Sequence, residues 1–119
     1  MYKNLIFTFA TVLFFTVYSF AHSPLKTTSP ASGAVLNETP QMLQFIFAKR
    51  ARVVKVVMTH KYAGAMHETK LELPNKVMTE ELRLTPEFRG HGEYLIEWRA
   101  LSEDGHALKG KFSFTVNDD

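Results

Sequence analysis

Near the C-terminal end, Ser102-Glu103-Asp104-Gly105-His106 sets a carboxylate and an imidazole two positions apart. Residues at that spacing on an extended or bulged segment project to one side. Asp104 and His106 can therefore deliver an oxygen and a nitrogen to one point, and Gly105 permits the bend between them. The same letters spell a hairpin turn, for which Asp-Gly is a common pair. At the other end of the chain, His22 stands directly behind Ser19-Phe20-Ala21. If the chain is cut after Ala21, His22 offers its new α-amine and its ring Nδ1 to the same ion, closing a chelate ring. Neither group costs much to deprotonate near neutral pH, the ordinary values being about 7.7–8.0 and 6.5. Joined, His22, Asp104 and His106 supply three nitrogens and one oxygen, a tetragonal donor set suited to one Cu(II).

A second group, Met58, His60, Met66 and His67, mixes thioethers with imidazoles. Soft sulfur ligands suit Cu(I), but two methionines are few and methionine commonly fills cores, so at most weak Cu(I) binding is expected there. Trp98 reads as a core anchor, His91 between two glycines as an exposed turn residue, and Asp118-Asp119 as a solvated tail.

The 119 residues contain 14 Lys and Arg against 12 Asp and Glu. The positive charges are scattered along the sequence, without the basic face of a nucleic-acid binder. There is no cysteine, so neither thiolate chemistry nor disulfide stapling is available. The N-terminus has a composition of its own: Lys3, then an apolar or weakly polar run from Leu5 to Tyr18, then Ser19-Phe20-Ala21 with small residues where a signal peptidase needs them. The run stops short of the roughly 20 apolar residues that span a bilayer. Residues 1–21 are expected to be a secretory signal cleaved after Ala21, and residues 22–119 one exported domain with one modest core.

The elements that must position the ligands are strands. Met42–Ala48, Val53–Thr59, Leu71–Leu73, Leu82–Leu84, Glu93–Leu101 and Lys111–Val116 are rich in β-formers or alternate with a period of two. Turn chemistry separates them at Ser29–Gly33, Glu38–Pro40, Tyr62–Gly64, Leu73–Asn75, Pro86 and Gly90–Gly92. An all-β sandwich or small barrel follows.

The chain resembles the CopC family of periplasmic copper-binding proteins. The resemblance rests on His22, on Thr28–Gly33, on Leu43–Phe47, and above all on Tyr94 to His106 followed by Gly110 to Val116. It implies an immunoglobulin-like Greek-key β-sandwich or barrel of about seven strands. It further implies Cu(II) held by the N-terminal histidine with the Asp and His of the later motif, and a periplasmic role in copper tolerance, storage or delivery. A monomer working with an inner-membrane copper transporter of the CopD type fits that role. Two departures stand out. Phe47 is followed by Ala48-Lys49, where many relatives have Ser-Glu, and the methionine-dense loop of some relatives is thinned to Met58–His67. Two other classes compete with a carrier: an exported interaction module whose histidines are incidental, and a small histidine-brace copper oxidase or monooxygenase. The second is disfavoured by the short chain and by a carboxylate in the copper plane, and no enzyme is expected.

Overall fold

The computed structural model describes residues 24–118; the expected signal segment and His22 lie outside the described residues. Seven strands follow in order: β1 (Leu25–Ser29), β2 (Ala34–Leu36), β3 (Leu43–Tyr62), β4 (Ala65–Lys70), β5 (Thr79–Leu84), β6 (Gly92–Ser102) and β7 (Ala107–Val116). Among the described residues there is no helix. The strands form one curled sheet in the order β1-β3-β6-β7-β2, with β4 and β5 also pairing β3. The all-β reading, the sandwich and the strand number hold.

β3 organises the molecule. Its first half lies antiparallel to β1 and β5, and its second half to β6 and β4. The sequence reads as two strands, Met42–Ala48 and Val53–Thr59, because exposed Ala48, Lys49 and Arg50 interrupt the apolar pattern. The structure runs one strand through them, with register shifts between Ile46 and Ala51 and between Val53 and Lys55. Such irregularities bend a strand and increase its twist, so the two halves of β3 can wrap a common interior.

That interior is filled at a period of two. Leu43, Phe45 and Phe47 from the first half of β3 meet Val56 and Met58 from the second, Tyr94, Ile96 and Trp98 from β6, and Phe112, Phe114 and Val116 from β7. Full burial of each large apolar side chain is worth about 1.5–3 kcal/mol against exposure. Trp98 is the expected anchor, edge-on to Phe47 with ring centroids 5.6 Å apart. Gly110 on β7 makes room for it, since a Cβ there would lie 2.6 Å from the indole ring.

Two local readings change. Leu71–Leu73 is not a strand; Leu71 is buried beside β3 through its N–H bond to Val56 O, and the extended segment precedes it as β4. The stretch from Met58 to His67 is not a loop but the end of β3, a tight turn at Ala63-Gly64, and the start of β4.

Candidate metal site

The β6–β7 hairpin carries Asp104 and His106 in its turn. Ser102 N–H donates to His106 O at 2.9 Å and Gly105 N–H to Ser102 O at 3.0 Å, while Gly105 takes φ 83°, a conformation that favours glycine. The Asp-Gly pair is thus a turn, and it carries two candidate ligands. Within it, Ser102 Oγ donates to Asp104 Oδ1 and accepts from His106 N–H at 3.0 Å. Asp104 Oδ2 lies 2.9 Å from His106 Nδ1. The Ser102 hydroxyl, foremost, holds the Asp104 carboxyl below the usual carboxylate range, helped by the His106 N–H and the nearby imidazole. With Nδ1 turned to Asp104, the other ring nitrogen of His106 is the one left to face a ligand.

Both side chains are exposed, and they line an open cleft of about 550 Å³ with Pro24, Ala48, Lys49, Arg50, Glu103 and Leu108. Pro24 is held there by its carbonyl, which accepts a 3.0 Å bond from Ala48 N–H. The chain therefore enters the cleft two residues after His22, within a reach of roughly 7 Å. Arg50 Nε and Glu103 Oε1 pair at 2.7 Å across the rim. Lys49 lines the same cleft, where relatives are expected to supply a carboxylate.

The second candidate group is at the far end of β6. His60 and His67 are cross-strand partners on β3 and β4, but Met66 is opposite Lys61 and so lies on the other face. Met58 is buried in the core. The buried His60 donates through Nε2 to His91 O at 2.7 Å, and His67 Nε2 accepts from Arg89 at 2.5 Å. The four residues are not brought to one point. Among the described residues, no group of three or more His, Asp or Glu side chains is poised to hold a metal.

His91 is exposed, as its flanking glycines suggest, yet fastened: its Nδ1 donates to Asn117 O at 2.7 Å. Asp118 is no loose tail, since it accepts from Tyr62 OH at 2.7 Å and lies 3.6 Å from His91 Nε2.

Compared with known proteins, the chain matches the CopC domain over residues 25–117, most of its length. It belongs to the CopC family. Among solved structures it is similar to CopC from Methylosinus trichosporium OB3b, at 28% identity and a TM-score of 0.58, covering 81% of this chain and 94% of that one. It is also similar in fold to PcoC, a methionine-rich copper resistance protein from Escherichia coli, at 24% identity and a TM-score of 0.61, covering 82% and 100%. No curated protein is matched.

Within this CopC domain, three site features escape a reading by residue type. Ser102 orders the turn from four positions before His106, and the only trace in sequence is a hydroxyl residue placed to bond local backbone. The Arg50–Glu103 pair and the Pro24–Ala48 bond join segments far apart in the chain, so no local spacing announces them.

Proposed function

We propose that this CopC-family chain is a copper carrier, not an enzyme, and that each monomer takes one Cu(II) as cargo. The α-amine and imidazole of His22, the Asp104 carboxylate and the His106 imidazole are the donors. The chain acts in the periplasm after cleavage at Ala21, in copper tolerance, storage or delivery, with a CopD-type membrane transporter as the partner for transfer. The observation that supports this reading is the shared cleft: Pro24 lies in it together with Asp104 and His106, and a chain beginning at His22 would start only two residues before Pro24. An ionised Asp104, favoured by Ser102, and an exposed imidazole suit a divalent ion. Lys49 and Arg50 at the rim oppose the cation, and Glu103, engaged by Arg50, offsets them only in part.

Cleavage itself creates one ligand, because the nitrogen of His22 is a poor donor while it remains an amide. Calorimetric titration of the form beginning at His22 is expected to show one saturable Cu(II), with nitrogen hyperfine structure in the electron paramagnetic resonance spectrum. His106→Ala and a form with Met preceding His22 should each weaken binding about 10-fold or more while keeping the fold. Equal affinities in the two N-terminal forms would sink the role of the amine, and a titration unchanged by His106→Ala would sink the site. A second, weaker ion is not favoured by the hairpin: Met58 is in the core, Met66 is on the opposite face from His60 and His67, and both imidazoles are hydrogen-bonded. Competition with a Cu(I) chelator in the same preparation should accordingly find little Cu(I) retained.

A further inference from the structure

The outer face of β3, β6 and β7 is a lattice of side chains in cross-strand register. Three successive ranks read Arg52–Leu101–Ala107, Lys55–Arg99–Lys109 and Lys70–Val57–Glu97–Lys111, the last reaching into β4. They hold six cations, all exposed, and one carboxylate. Elsewhere the chain has eight Lys and Arg against eleven Asp and Glu, so in a nearly neutral protein these three ranks hold a net excess of five cations, bordered by Glu68 and Glu93 in the ranks that follow. The scatter seen along the sequence is undone by the sheet. Among the described residues, none of the six is in an ion pair.

The middle rank is unfavourable by itself. Lys55, Arg99 and Lys109 are direct neighbours on adjacent strands, about 4.8 Å apart at the backbone, and like charges so placed destabilise a sheet. An external array of anions would relieve the repulsion. Lys55, Arg99, Lys109 and Lys111 also rim an open depression of about 660 Å³ that Gly110 and Trp98 help to line, with the carboxylates of Glu68 and Glu97 among its walls. It is far roomier than one small anion needs, and its cations are splayed over three strands instead of converging on a point.

We infer that this face docks on the surface of a bilayer containing anionic phospholipids. Headgroup phosphates move laterally, so a broad set of cations spread over adjacent strands engages several at once without a fixed register. An acidic protein would have to present carboxylates matched to the ranks. The attraction acts within a Debye length of the surface, about 10 Å at 0.1 M salt. The inference does not depend on copper, because none of the six cations lines the cleft of Asp104 and His106.

Co-sedimentation of residues 22–119, which contain the whole described core, tests it. Vesicles of phosphatidylglycerol and phosphatidylcholine in equal parts should retain the protein at least about 10-fold better than phosphatidylcholine alone, with retention falling as salt is raised. Replacing Lys55→Glu, Arg99→Glu and Lys109→Glu together should abolish retention. Lys26→Glu, Arg83→Glu and Arg89→Glu, the same change in net charge placed elsewhere, should leave most of it. Circular dichroism establishes that both variants are folded, and if the first is not, Arg99→Gln alone should still lower retention several-fold. Equal retention on the two vesicle types, or equal loss in the two triple variants, would overturn the proposal. So would binding to polyglutamate without binding to vesicles, which would assign the face to an acidic protein.

Discussion

Asp104 has three polar neighbours in one turn, and the Ser102 hydroxyl is the strongest influence on its proton. Because folding lowers its pKa, Asp104 adds stability at pH above the unfolded value of about 3.9, and that contribution disappears as pH falls through the folded value. In Ser102→Ala the carboxyl should titrate at higher pH and the acid-side contribution should shrink, as followed by the carboxyl carbon resonance. An unmoved titration would mean that the hydroxyl is not the cause. The closeness of Asp104 and His106 is legible in the sequence because a two-residue separation across an Asp-Gly turn is a local property. The part of Ser102 is not, since its two bonds exist only once the turn has closed.

Elements were legible where their alternation was uninterrupted, as in β6 and β7, and misread where polar residues fell inside a bend. Ala48, Lys49 and Arg50 look like a loop because local pattern carries no information about a strand that changes partners. In the hairpin of β3 and β4 the turn is legible at Tyr62–Gly64 but β4 is not, because Ala65–Lys70 is exposed almost throughout and has no apolar alternation; the turn itself is Ala63-Gly64, without the Asn or Asp that usually marks such a connection. Both residues have positive φ, 50° for Ala63 and 81° for Gly64, and a left-handed alanine costs about 1 kcal/mol. Ala63→Asn, giving the favoured Asn-Gly pair, should therefore stabilise the domain by about 0.5–1 kcal/mol, or a few degrees in Tm for a domain of this size. Thermal unfolding measures this directly, and a lower Tm would show that the turn does not have the strain assigned to it.

At the scale of the molecule, residues 22–119 contain two tyrosines, Tyr62 and Tyr94, each tying distant segments together. Tyr94 is buried and donates to Gly90 O at 2.6 Å, while Tyr62 reaches Asp118 from the hairpin. Burial pushes the Tyr94 phenol up, and the hydrogen bond and charge of Asp118 push Tyr62 up. Groups raised on folding give stability that is complete below the unfolded value of about 10 and is lost as pH climbs through the folded values. Alkaline titration should show phenolate absorbance lagging behind that of a free tyrosine and rising as the domain unfolds. In Asp118→Asn, Tyr62 should ionise nearer its ordinary pH. Two ordinary titrations in the native protein would contradict this account.

The opposite placement of Pro24 and Asp118 decides how the protein can be handled. Pro24 lies with the turn after β6, whereas Asp118 is fastened beside the residues before it, about 35 Å away along eleven extended residues. A fluorophore, affinity handle or electrode linker joined to the last residue therefore leaves the cleft at the free end. Under the proposed ligand set, the same attachment at His22 would occupy the amine, so the chain should work as an immobilised copper sensor in one orientation only.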